Sequence, residues 1–433
     1  MAGGTFTSQN KVRPGAYINF KAEVSTGSSE AVAGTVALPL AVDFGPAGVT
    51  AVNSGTNLLQ FGHTLGDAQM LPLREALKNA SEVLVFRIGG GAKAKATGTS
   101  NGLTVNAKYP GARGNDIAVV VKTLTTGGVQ VDTTLAGQVV DSQVVATAED
   151  LIENDLVTFT GSPEVTDGTI TLSGGTDTAG TGADYADFFD AIQVYDFNTM
   201  AIPVEDSATK ALAAGFARRV REEEGKKIQV VLGNYEGADF EGVINLANGV
   251  ILDGQALSPE QATAWFAGAA AAAGVSSSLT YTAYQGATDA SPRLSSADTI
   301  ENLRKGNVVF TEKRGQAVVE QDINTLVSFD ATKNQDFRKN RVLRVLDDIA
   351  NNTKITFEDN YIGKVNNDTD GRELFKADRI AYFDALVGQG AITDFASDDI
   401  EVLPGNAKDA IVVNVAVQPV DAMEKLYMTV EVN

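Results

Sequence analysis

Reactive side chains come first, because they decide which chemistry is open. The 433 residues hold one histidine, His63, and no cysteine. Thiolate catalysis, disulfides and cysteine metal sites are removed together. His63 sits in a loop-like stretch, Phe61-Gly62-His63-Thr64, and is read as lacking an acidic partner nearby, so it is taken as structural or exposed. Gly98-Thr99-Ser100-Asn101-Gly102 has the letters of a nucleophile elbow. That motif needs a strand before it, a helix after it and a histidine downstream. Here a Lys/Gly/Thr loop precedes it and the sole histidine lies upstream. Asn366, Asp368, Asp370 and Gly371 imitate the opening of a calcium loop, but Ala377 stands where the closing glutamate belongs. A polar turn is the better reading. Gly89-Gly90-Gly91 followed by Lys93 lacks the spacing and the Lys-Ser/Thr ending of a phosphate loop. Carboxylate pairs can hydrolyse, but sequence selects no pair from 55 acidic residues. No catalytic residue, cofactor site or metal site is assigned.

Charge narrows the partners. With 55 acidic and 34 basic residues the net charge is −21. A field of that sign repels phosphate backbones, so direct nucleic-acid binding is not expected. Between Lys122 and Lys210 stand 15 acidic residues and no Lys or Arg. That stretch reads as a solvated face, or as a surface that resists self-association. The longest low-polarity run, Ala262–Val275, falls short of the ~20 residues a membrane helix needs. The opening MAGGTFTSQNKVRPG has no apolar stretch of the export type. Membrane insertion is not expected, and the cytoplasm of the producing cell is.

The elements follow from periodicity. Residues 1–25 read as an arm, with Tyr17, Ile18 and Phe20 finding little local sequence to bury them. Residues 26–92 and 184–333 alternate helix and strand signals: a helix at Leu71–Ala80, a strand at Val83–Ile88, a helix through Leu212, Phe216 and Val220. Ser258, Pro259 and Gln261 form a capping-box pattern before an alanine-rich helix. Residues 93–183 are short strand-like runs between two glycine-rich borders, an inserted β-sandwich-like domain. Residues 334–420 give two helices and then strands, and 421–433 form a terminal arm. Within it Leu426, Met428, Val430 and Val432 alternate against Lys425, Tyr427, Thr429 and Glu431, the cleanest strand pattern in the chain. The fold class is therefore mixed α/β and α+β, multi-domain, with an inserted β-sandwich-like domain and extended terminal arms.

Several stretches then become recognisable: Arg13–Phe20 (RPGAYINF), Arg221–Lys227 (REEEGKK), Glu320–Leu326 (EQDINTL), Lys339–Asn351 (KNRVLRVLDDIAN), Tyr361–Asn367 (YIGKVNN) and Val417–Val432 (VQPVDAMEKLYMTVEV). With them the chain resembles the contractile tail sheath proteins of bacteriophages and phage-tail-like bacteriocins. The resemblance implies a structural subunit, no enzyme, polymerised helically around an inner tail tube on a baseplate, with a tail terminator above. It implies a virion tail or tail-like particle assembled in the bacterial host cytoplasm. The α/β domains would form the sheath core, the inserted domain would project outward, and residues 334–420 would face the tube. Terminal arms would link copies by completing a shared sheet.

Two sets of residues carry those contacts. Tyr17, Ile18 and Phe20, with Leu426, Met428, Val430 and Val432, would be inter-subunit arm contacts, hinged at Pro14–Gly15 and near Pro419. Lys333, Arg338, Lys339, Arg341 and Arg344, against the lone acid Asp336, would face the tube or a neighbour. The alternative is a helix neutralised within itself, Arg344 with Asp348 at i,i+4. A reading of another class is a soluble α/β hydrolase or ligand-binding protein with an inserted β domain. A surface-layer protein is disfavoured by the missing export signal.

Overall fold

Short apolar runs from the first half and the middle of the chain assemble into one seven-stranded sheet. The computed structural model describes residues 2–4, 15–17, 34–96, 102–161 and 164–432. The strands stand in the order Asn307–Val308, Val243–Leu246, Gln229–Gly233, Thr199–Ala201, Thr35–Ala41, Glu82–Ile88, Val49–Val52. Neighbours are parallel except Val49–Val52, which runs antiparallel to Glu82–Ile88. Both faces are covered, as parallel sheets require. Along Thr35–Ala41, Val36, Leu38 and Leu40 enter one core and Ala37 enters the other. Helices α1 (Leu71–Leu77) and α4 (Pro259–Ala272) pack on the first face; α2 (Gly182–Ile192) and α3 (Ser207–Glu222) pack on the second.

Helix α4 forms where the capping signal places it. The Ser258 side chain accepts the Gln261 N–H, the Gln261 side chain accepts the Ser258 N–H, and Pro259 opens the helix. Its small residues let α1 come close: a Cβ added at Gly268 would lie 2.4 Å from the Ala76 carbonyl oxygen.

The inserted β-sandwich-like domain is present. Its eight strands lie between Gly90 and Thr178, around Val105, Val119, Val131, Leu156 and Ile170. The strand Gly168–Ser173 pairs with Ile117–Thr123 through its first four residues and with Gly90–Ala96 through Leu172 and Ser173. It thereby turns the corner between the two layers. The domain is fastened at its base. Phe44, from the loop after Thr35–Ala41, enters the sandwich core and meets Tyr109 edge-on at 5.6 Å. Gly111, at φ +137°, lets the chain pass so close that a Cβ there would sit 1.8 Å from the Asp43 carbonyl oxygen.

The same seam corrects the reading of His63. Its Nε2 lies 2.5 Å from Asp43 Oδ1 and its Nδ1 lies 3.1 Å from Asp67 Oδ2. One acid is a single turn ahead in sequence and the other is brought by the fold, so the ring is half of a structural tie. Asp67 also accepts the Thr64 N–H, and that bond, together with His63, holds its carboxyl below the usual range although burial opposes it.

The C-terminal part packs helices α6 (Asn340–Asn360) and α7 (Thr369–Gly388) with the hairpin Ile400–Pro404/Ile411–Val415 around Val345, Phe383, Leu386 and Ile400. The calcium-like stretch is a polar turn. Asp368 caps α7 by accepting the Gly371 N–H, and the Asn367 amide donates to the Lys408 and Ala410 carbonyls. Among the described residues no group of three or more acids and histidines is placed to hold a metal ion, and no helix is long and apolar enough to cross a membrane.

The terminal alternation fits pairing either within its own domain or with a neighbour. No strand forms over residues 421–432; the last paired residues are Gln418–Pro419, against Ile392–Thr393. Alternation prepares a strand, but a strand exists only when another backbone lies alongside, and none of the described residues does so there.

Gly268→Ala is expected to destabilise the protein by about 1–3 kcal/mol despite alanine's better helix propensity, because backbone must move on both sides of the contact. Thermal unfolding checks this; a higher melting temperature would contradict it.

Candidate inter-subunit junction

Helix α6 follows the connecting segment after the hairpin Phe310–Lys313/Gln316–Val319, and its first residue, Asn340, is fully buried. A buried amide must have its hydrogen bonds made. Asn340 Nδ2 donates to Asp322 Oδ1 at 2.9 Å, and its Oδ1 accepts from Gln229 Nε2 at 3.0 Å and Asn324 Nδ2 at 3.3 Å. Asp322 is only 1% exposed. Its Oδ2 accepts the Leu279 N–H at 2.9 Å and an Arg344 Nη2–H at 2.6 Å. The loop at Leu279 and helix α6 thus share one buried carboxylate, and Asn340 carries the link on to Gln229 of the sheet.

A second tie lies further along α6. Arg221 grips Asp347 with two bonds, at 2.7 and 2.8 Å, and the Lys227 N–H donates to Asn351 Oδ1 at 2.9 Å. The i,i+4 pair Arg344–Asp348 is not made. Arg344 turns to Asp322, and Asp348 accepts the Tyr382 hydroxyl at 2.5 Å. Burial pushes both the Asp348 carboxyl and the Tyr382 phenol up.

The base of the C-terminal arm is clamped beside this seam. The Val420 N–H donates to the Ala391 carbonyl. Glu424 accepts from Thr280 Oγ1 at 2.9 Å, Gln321 Nε2 at 2.7 Å and the Lys339 ammonium. Lys339 also lies 3.4 Å from Asp421. Burial opposes ionisation of Glu424, but these bonds outweigh it and hold its carboxyl below the usual glutamate range. The hinge expected near Pro419 is therefore misplaced: Pro419 is paired with Ile392, and the clamp reaches Glu424. Freedom begins at Lys425. Past it Leu426, Met428, Val430 and Val432 are 85%, 74%, 69% and 92% exposed.

The basic segment divides. Lys333 pairs with Glu241 at 2.7 Å, Lys339 with Glu424, and Arg344 with Asp322. Arg338 and Arg341 are half-buried, and among the described residues the Nε of each has no hydrogen-bond partner. Burial without a compensating charge pulls the Arg338 guanidinium down. At the other terminus the backbone Gly15–Tyr17 pairs parallel with Ala2–Gly4, and Ile18 and Phe20 lie outside the described residues.

Residue reading missed Gln229, Asp322, Asn324 and Asn340. A signal was available: Asn340 is a polar residue one turn before Leu343 on the buried stripe of α6.

Four family descriptions match in succession: tail sheath protein Gp18 domain III N-terminal region over 33–88, phage tail sheath protein beta-sandwich domain over 89–177, phage tail sheath protein central domain over 178–325 and phage tail sheath C-terminal domain over 332–433. The chain is 42% identical to the crystal structure of a sheath tail protein from Desulfitobacterium hafniense, with TM-score 0.83 over 96% of this chain and 99% of that one. It is 39% identical to the phage-like element PBSX protein XkdK of Bacillus subtilis (strain 168) over the full length of both. The contracted helical sheath of the anti-feeding prophage shares the fold, at 14% identity and TM-score 0.60 over 98% of this chain and all of that one.

Asp322→Ala strands Arg344 and Asn340 and is expected to cost about 3–5 kcal/mol in urea unfolding; a loss under 1 kcal/mol would contradict the seam. Glu424 ionises more readily folded than unfolded, so its clamp acts fully above the ordinary value of 4.5 and is lost as pH falls through the lower folded value. A fluorophore on a cysteine replacing the exposed Met423 is expected to lose anisotropy in that acid window, and Glu424→Gln is expected to abolish the transition.

Proposed function

The chain belongs to the phage tail sheath family, and from that premise we propose how this subunit of a contractile sheath is joined to its neighbours and partners. Membership sets aside the hydrolase and ligand-binding readings: the family is structural, and the protein is a component of a virion tail or tail-like particle. Copies stack helically around an inner tail tube on a baseplate, with a terminator closing the stack, and contraction drives the tube through a cell envelope. Assembly takes place in the host cytoplasm. The sandwich projects outward, and the part built on α6 and α7 faces the tube.

The observation that carries this reading is the segment after Glu424. It is apolar on alternate residues, exposed, and without a strand partner among the described residues of its own chain. A monomer would be penalised for such an edge by aggregation; a polymer uses it, because a neighbouring backbone supplies the missing hydrogen bonds. An acceptor is available in kind. An apolar groove of about 460 Å³ lies beside the strand Ile411–Val415, lined by Phe357, Phe375, Phe383, Ile411, Val413 and Val415. The arm of a second copy fits it, with Leu426, Met428, Val430 and Val432 inward. The N-terminal segment around Tyr17, Ile18 and Phe20 completes the same sheet. Arg338 and Arg341, whose Nε atoms find no partner among the described residues of a chain of charge −21, face the tube or a neighbour.

Removing 425–433 while keeping Glu424 is expected to leave circular dichroism and melting unchanged and to abolish tubes in negative-stain microscopy. Tubes of normal length from the truncated chain would overturn the linkage.

A further inference from the structure

Two exposed patches outside the arms lie on opposite sides of the central sheet. The first is a knob at the end of α2. Val194 is 75% exposed and Tyr195 40%. Asp187 and Asp190, three apart, share one face of α2, and Val194 stands in the turn just past its end. Asp187 and Asp190 are exposed, and the buried side of α2, Phe188, Phe189 and Ile192, is committed to the core beneath. The knob is thus apolar at its tip and acidic along its flank.

The second patch is a socket beside helix α5 (Ser296–Arg304), which buries no residue fully. A cavity of about 320 Å³ opens there on Tyr281, Ile300 and Leu303. Tyr281 is 48% and Ile300 47% exposed. Leu303 packs against the core opposite to that of α2. The rim carries Arg304, Arg338 and Lys425. Its two acids are already engaged: Glu320 accepts the Thr311 hydroxyl, and Glu424 holds the arm clamp. The socket is apolar at its floor and cationic at its rim.

We propose that a second copy of this chain seats its Val194–Tyr195 knob in this socket, with Asp187 and Asp190 against Arg304 and Arg338. Charge complementarity chooses the occupant: cations in search of acids meet the acidic, apolar knob that every copy carries. The two patches lie on opposite faces, so the contact is head-to-tail and propagates, as a helical polymer requires. It is a rigid, side-chain contact separate from the strand links of the arms, and it rests on the sheath reading above.

The absence of cysteine makes the test clean. Val194→Cys and Ile300→Cys chains are mixed, assembled and oxidised. Because a disulfide needs Cα atoms within about 7 Å, the expected result is a mixed dimer that neither chain forms alone, and a ladder from the double variant. Asp190→Arg and Arg304→Asp are each expected to raise the concentration needed for tubes several-fold, and together to restore it. Tubes that form without the mixed cross-link, or an Ile300→Cys chain that cross-links instead to Met428→Cys, would overturn the contact and leave the sheath reading standing. Failure of the unaltered chain to form tubes would overturn both.

Discussion

A carboxylate taken out of water must be surrounded by donors, and Asp322 draws them from helix α6 and from the loop at Leu279. Asn340 from α6, Arg344 one turn further along it and the Leu279 N–H all converge on its two oxygens. None of these groups can leave without stranding a buried charge, at a cost of several kcal/mol. The central sheet, the Glu320–Leu326 segment and α6 are therefore locked in one arrangement, reinforced by Arg221 on Asp347. The site from which the C-terminal arm departs has a fixed address on the body.

That lock gives the arm two regimes. Up to Glu424 the chain is held by its own molecule, through Lys339, Gln321 and Thr280. From Lys425 to Val432 no strand pairing is made with the described residues, and an apolar alternation is exposed to solvent. A link between rigid bodies that must change their relative positions needs both properties. A loose base would transmit no force, and an arm folded back on its own domain would link nothing. The sandwich is seated on the central sheet in its turn: Phe44 enters its core and Gly111 packs against the Asp43 backbone.

Local signals were legible in the sequence and non-local ones were not. The Ser258–Gln261 capping box, the Gly225 turn after α3 at φ +71° and the strand runs Ile117–Thr123 and Val129–Leu135 appear much as composition and period place them. The strand Gln138–Val145 went unread because its valines come in adjacent pairs that break the period-two pattern, and its register shifts at a bulge between Val139 and Asp141. The partners of His63, Arg344 and Asp348 lie where the fold brings them, or were passed over for a nearer charge. The sharpest lesson is in the last residues. Period-two alternation states what a segment pairs as, and says nothing of which chain provides the pair.

The central claim is that residues 425–432 leave their own subunit. Helical reconstruction of the assembled polymer by electron cryo-microscopy tests it directly. The account predicts continuous density from Glu424, clamped on its own Lys339, to a strand laid on a neighbouring subunit. Density that turns back and pairs with the hairpin of the same chain would contradict it.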